Sequence, residues 1–393
     1  MIAKSMKQFT ANSSAVRAMF EAGAEMAKEV GAENVYDFSL GNPNVPAPEA
    51  LKDAIETILE EMPSKQVHGY MSNAGHESVR KKIAEKLNRE QGTAFSQNNI
   101  LMTVGAAGAL NVALKTILDP LDEVICIAPY FVEYGAYAAN YGAVVKTVPA
   151  DTESFQINFK ALEATITPKT RAVIINSPNN PSGVVYSVQS LKCLARLLTE
   201  KSAAYGSEIF IIADEPYRDL VYDGIEVPYV TPFYNNTLVC YSWSKSLSLP
   251  GERIGYLVVP SEINDYDEMW NAFCVANRVL GFVNAPSLMQ LAVGECLDLS
   301  CDIAYYDRNR QTLYSFLTEM GYTCVMPQGA FYLWMKAPGG DDKLFCKKAF
   351  EEHILMVPGS SFACPGYVRL AYCVDYETIL RSKKAFETLI KKY

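Results

Sequence analysis

Seven short apolar runs, separated by stretches of helical character, recur between residues 100 and 259, and they constrain the fold more than any other feature of the chain. They fall at 100–104, 123–128, 144–148, 172–176, 209–213, 238–241 and 254–259. Several lack polar alternation, as strands covered on both faces do, and helices between successive strands favour a mainly parallel sheet. The expected class is α/β: a large domain with this sheet flanked by helices, plus a smaller domain.

At 393 residues the chain exceeds the length at which one core usually stops growing. After residue 260 the pattern turns helical, over 269–297 and 308–320. A strand at 329–336 follows, then helices at 343–352 and 377–391 around a strand at 367–373, a smaller α+β arrangement. Near the start, Val16, Met19, Phe20 and Met26 mark a helix over 14–30, with Ser13 or Ser14 as cap and Gly31 as stop. DFSLGNPNVPAP is a connector, and Val79, Ile83 and Leu87 form the buried stripe of a helix over 77–88. The expected division is 1–45 as helix and arm joining the small domain, 46–285 as the large domain and 286–393 as the small one.

The net charge of −9 is spread along the chain, which disfavours a nucleic-acid or anionic-membrane surface. Ten cysteines without a CxxC pair read as reduced thiols, and MIAKSMKQFTANSS lacks the apolar core of a secretory signal. A soluble cytoplasmic protein is expected. The three histidines, His68, His76 and His353, have no ligand-like spacing, so no metal site is expected.

In open parallel sheets ligands collect at the carboxyl ends of strands, and VGAAGAL, NSPNNPSG, DEPY and SWSK all follow apolar runs. Asp214 follows IFIIA, where a carboxylate is desolvated unless a cation or proton donor meets it. A pyridinium N–H would do so, although a lone Asp as readily caps a turn. Lys245 lies among small and hydroxylic residues after a buried run, where a lowered pKa favours a nucleophilic amine. Arg253, eight residues on, suits a phosphate, with Ser242 as a further donor and the Ala106 and Ala107 N–H groups at a helix start. Asn180 and Tyr217 could bond a phenolic ring oxygen, and Phe131 could stack on the ring, though a turn and a core position explain them equally well. Arg369 opens an apolar strand and needs an anion, either a substrate carboxylate or an internal one. An imine-forming amine, an anion beneath a ring nitrogen and a phosphate cation are the needs of pyridoxal 5'-phosphate (PLP) chemistry.

At these residues the chain resembles the class I/II aminotransferases, the fold-type I PLP enzymes related to aspartate aminotransferase. LGNP, GYMSNAGHESVR, VGAAGAL, APYFVEY, NSPNNPSG, ADEPY, SWSKSLSLPGERIGY, QGAFYLW and VRLAY occur in the family's order over nearly the full length. The resemblance implies Lys245 as the Schiff-base lysine, Asp214 as partner of the pyridine nitrogen, and Asn180 and Tyr217 on the ring oxygen. It implies Ser242, Arg253 and the Ala106 and Ala107 amides around the phosphate, Ser244 among the coenzyme-binding residues, Phe131 on the ring face, Arg369 on the substrate α-carboxylate and Gly41 close to the substrate. Tyr70 would reach a neighbouring subunit's phosphate, implying a homodimer with shared active sites. The substrates would be an L-amino acid and a 2-oxo acid, of aspartate-type or broad specificity. The chain departs from the family in Ala106 and Ala107, where a Ser or Thr is common, and in Phe131, where Tyr or Trp is usual. Arg278 is a candidate for a distal substrate carboxylate, although its neighbourhood VANRVLGF also reads as a helix surface. A β-eliminating PLP lyase and a non-catalytic aminotransferase-like binding module are the alternatives.

Overall fold

The computed structural model describes residues 2–11 and 15–393. Strand β1 (Tyr36–Asp37) lies in the amino-terminal arm. Then come β2 (Ile100–Thr103), β3 (Glu123–Ile127), β4 (Val144–Val148), β5 (Thr170–Asn176), β6 (Phe210–Asp214), β7 (Thr237–Ser242) and β8 (Gly255–Val258). The carboxyl-terminal part holds β9 (Cys324–Val325), β10 (Tyr332–Lys336), β11 (Ile354–Leu355), β12 (Val357–Pro358) and β13 (Tyr367–Ala371).

All seven apolar runs form one sheet, in the order β2-β8-β7-β6-β5-β3-β4. Its pairings are parallel except those of β8, which runs antiparallel to both β2 and β7. The missing polar alternation has its cause in burial on both faces. Ile211, Val173, Val239 and Val258 enter one core cluster, while their neighbours Ile212, Ile174, Leu238 and Leu257 enter the cluster on the opposite face. Helix Glu77–Gln91 buries Val79, Ile83 and Leu87, the stripe expected of it.

A second body is built on the sheet β12-β13-β10-β9. The arm joins it through parallel pairing of β1 with β11, and Phe38 N–H donates to the Leu355 carbonyl at 2.9 Å. Met289, Leu291, Ala292 and Val293 pack into the large-sheet core, while Tyr217, Leu220 and Tyr222 enter the core of the second body. The single helical stretch expected over 269–297 is two helices, Tyr266–Val279 and Ser287–Glu295. Gly281 and Val283 at positive φ, followed by Pro286, break it between them. Helices Lys4–Ala11 and Glu49–Glu61 were not foreseen. The expected cap at Ser13 or Ser14 lies outside the described residues. No described helix is long and apolar enough to cross a membrane.

Candidate active site

The register of the sheet brings the informative strand ends together. Asn176 at the end of β5 pairs with Asp214 at the end of β6, and Asp214 pairs in turn with Cys240 on β7. Because β8 is reversed, its first residue, Gly255, sits opposite both Thr103 and Ser242, so the loop carrying Arg253 arrives at the carboxyl ends of its neighbours. Gly105, at φ +75°, and Gly255 permit this approach: a Cβ on Gly255 would lie 2.9 Å from Gly105 Cα, and one on Gly105 would lie 3.0 Å from an Arg253 guanidinium nitrogen. The amino end of helix Gly105–Ile117, with its free N–H groups, thus faces the Arg253 side chain.

These ends open into a cavity of about 630 Å³. Lys245, Asp214, Tyr217, Asn180, Ser242, Ser244, Arg253, Ala106, Ala107, Phe131, Gly41 and Arg369 all line it. Tyr70 does not. It stands 96% exposed on the outside of the chain, beside Met71 and Phe282. Arg278 is exposed on helix Tyr266–Val279 and does not line the cavity either.

The ionisable groups in the cavity are held away from their ordinary states by burial. Desolvation brings the Lys245 amine down to about 8, with the cations Arg253 and Arg369 acting in the same direction and the Cys373 thiol against it. Its Nζ donates to the Gly41 carbonyl at 3.0 Å. Desolvation raises the Asp214 carboxyl to about 7; a hydrogen bond from Tyr134 opposes the rise and nearby Glu215 adds to it. Tyr134 Oη donates to Asp214 Oδ2 at 2.5 Å, whereas Oδ1 is buried without a partner. An acceptor left bare in this way costs roughly 1–3 kcal/mol, more if charged, until a donor meets it.

Arg369 is likewise incomplete. Its guanidinium donates to the Ser39 carbonyl at 2.5 Å and to Asn180 Oδ1 at 3.1 Å, lies over the rings of Tyr332 and Phe362, and leaves Nε without a partner. No carboxylate pairs with it among the described residues. Tyr217 Oη and Tyr332 Oη share a hydrogen bond of 2.8 Å, and a Cβ on Gly41 would overlap the Tyr332 ring. Ser242 Oγ and Ser244 Oγ lie 2.6 Å apart beside Lys245.

Sequence reasoning missed several lining or supporting groups: Tyr134, Asn176, Tyr332, Phe362 and Glu21. Asn176 Nδ2 donates to the Asp214 carbonyl at 2.7 Å and its Oδ1 accepts from Asn180 N–H at 2.6 Å, tying two site loops together. Tyr134, Asn176 and Tyr332 all lie inside the motifs APYFVEY, NSPNNPSG and QGAFYLW, so motif membership was the available signal. Glu21, on helix Ala15–Val30, and Phe362 had none.

A buried amine, a buried carboxylate with one unpartnered oxygen and a guanidinium with no carboxylate partner, all lining one cavity, match an imine-forming coenzyme and an anionic substrate. Residues 32–385 match the family model described as aminotransferase class I and II. The chain belongs to this family. The aminotransferase is 33% identical over 384 residues to a protein named "Probable aspartate/prephenate aminotransferase" of Aquifex aeolicus, a match covering 92% of this chain and 94% of that protein. It is 29% identical to "Aromatic-amino-acid aminotransferase 2" of Thermococcus litoralis, over 97% of this chain and 96% of that one. Among solved structures it is similar to an amino transferase from Eubacterium rectale, at TM-score 0.98 and 52% identity, covering 100% of this chain and 99% of that one. The protein is an amino-acid aminotransferase of a family that in general depends on PLP. The lyase and the non-catalytic module are not favoured.

Proposed function

We propose that the cavity holds PLP and that the aminotransferase uses it to move an amino group from an L-amino acid to a 2-oxo acid. The observation that carries this reading is Asp214 Oδ1, a buried acceptor with no partner in the same cavity as the lowered amine of Lys245. When bound, PLP supplies an aldehyde that condenses with amines and a protonated ring that withdraws electrons from the carbon bearing the amine. Asp214 would accept from the ring N–H. Arg253, Ser242, Ser244 and the amides of Ala106 and Ala107 would hold the phosphate, since two hydroxyls, a guanidinium and a helix start converge there. Tyr217 and the amide of Asn180 would hold the ring oxygen, and Phe131 would cover a ring face. Lys245 would hold the coenzyme at rest and, once displaced, carry the proton at Nζ to and from the reacting carbons. Arg369 would take the α-carboxylate beside Gly41.

Tyr70, presented outward, is proposed to complete the phosphate site of a second copy in a homodimer, and the chain is proposed to act as an arm, a large domain that takes in helix Ser287–Glu295, and a small domain. Ten free cysteines fit a reducing, cytoplasmic setting. Among the described residues the cations lining the cavity are Lys245, Arg253 and Arg369. The specificity is proposed to be aspartate-type or broad. A panel of amino donors mixed singly with the PLP-loaded protein tests the reading. Conversion of the coenzyme to its amine form with release of an oxo acid supports it, and pyruvate with ammonia and no conversion overturns it.

A further inference from the structure

The Asp214 carboxylate is held from behind by a phenol. Tyr134 is buried near the start of helix Glu133–Ala139, its ring edge-on to Phe131 with centroids 5.7 Å apart, and its hydroxyl reaches Asp214 Oδ2 at 2.5 Å. The two oxygens of Asp214 are thereby made unequal: Oδ2 is occupied on the protein side, and Oδ1 is bare. Other titratable groups face this carboxylate from every adjoining element. Tyr137 lies on the same helix, Glu215 and Tyr217 follow β6, Cys240 lies on β7, and Cys126 on β3 stands beside Tyr134. Burial raises the tyrosines and cysteines and keeps them neutral. Glu215, the one other acid, is bound by Arg218 through two hydrogen bonds of 2.6 and 2.7 Å. Among the described residues Tyr134 is the only side chain that donates a hydrogen bond to the Asp214 carboxylate.

We propose that Tyr134 is a positioning residue for the coenzyme: by committing Oδ2 it aims Oδ1 into the cavity as acceptor for the ring N–H and weakens the basicity of the carboxylate, so that the proton stays on the ring. The inference rests on the reading that PLP occupies this cavity. Without the phenol the carboxylate is a stronger base, the shared proton moves toward Asp214, and the ring loses electron-withdrawing power. Tyr134 touches neither substrate nor coenzyme in this account; it acts through Asp214.

The test is Tyr134→Phe, which removes the hydroxyl and keeps the packed ring. In the PLP-free protein, infrared titration of the Asp214 carboxyl, assigned by its loss in Asp214→Asn, is expected to shift upward from about 7. The dissociation constant for PLP is expected to rise about tenfold, as loss of one hydrogen bond to a charged group implies. The 15N resonance of the bound ring is expected to move toward its unprotonated value, and kcat to fall while the amino-donor KM changes little. Incorporating 3-fluorotyrosine at position 134, a more acidic donor, is expected to shift the carboxyl titration and the 15N resonance the opposite way, and it serves alone if the phenylalanine variant does not fold. Tyr137→Phe is the control and is expected to change neither. Unchanged PLP affinity and 15N resonance in Tyr134→Phe, a fluorotyrosine protein that does not shift, or equal shifts in Tyr137→Phe overturn the inference. Failure of the unaltered protein to bind PLP overturns instead the reading beneath it.

Discussion

Arg310 and Arg369 are both buried, and the contrast between them separates scaffold from site. Arg310 forks onto Asp223 at 2.8 and 3.0 Å, bonds Asp307 and donates to the Pro327 carbonyl, so its charge is answered within the chain. Arg369 meets only neutral oxygens and leaves one N–H without a partner. Glu215 and Asp214 repeat the pattern one residue apart: Glu215 closes on Arg218, and Asp214, which lines the cavity, keeps Oδ1 without a partner. A scaffold ion pair is complete without a ligand, whereas incomplete buried charges persist only where binding a partner of opposite character repays the desolvation.

Substitutions on the two sides of this contrast should therefore fail differently. Lys245→Ala carries the largest expected effect, a loss of turnover of at least about a thousandfold together with the visible absorbance of bound coenzyme. Its circular dichroism should be unchanged, and near-normal turnover would remove Lys245 from the site. Asp214→Ala should lower turnover by about a hundredfold or more and weaken PLP binding. The same residue makes a prediction about stability. Its folded carboxyl is raised to about 7 from 3.8, so between those values the folded protein holds a proton that the unfolded chain has lost. Stability of the PLP-free protein should fall as pH rises through that window, and Asp214→Asn should flatten the fall in urea titrations.

The arginines give the smaller, paired test. Arg369→Gln should raise the amino-donor KM by about ten- to a hundredfold with little change in melting temperature. Arg310→Met should lower stability by about 1–3 kcal/mol, moderated because Asp223 and Asp307 reach solvent, and leave KM alone. If Arg310→Met raises KM as much as Arg369→Gln does, the division between scaffold and site is wrong.

Much of this was legible in the chain itself, for physical reasons. Strands covered on both faces, such as Phe210–Asp214 and Thr237–Ser242, must be apolar through their middles, and the functional side chains stand at their carboxyl ends. What stayed hidden depends on contacts between distant segments. Tyr134 reaches Asp214 across 80 positions and Tyr332 reaches Tyr217 across 115, and neither residue type in a motif declares its partner. In the helical pattern over 269–297 Gly281 and Pro286 mark the break, and only Val283 at positive φ carries no compositional sign of it. Arg278 was a plausible cation by type alone, and its helix turns it outward.

A crystal structure of the protein soaked with PLP tests the central claim most directly. The account predicts continuous density from Lys245 Nζ into the coenzyme, with the ring nitrogen within about 3 Å of Asp214 Oδ1. A ring nitrogen directed at solvent, or coenzyme bound away from Lys245, would contradict it.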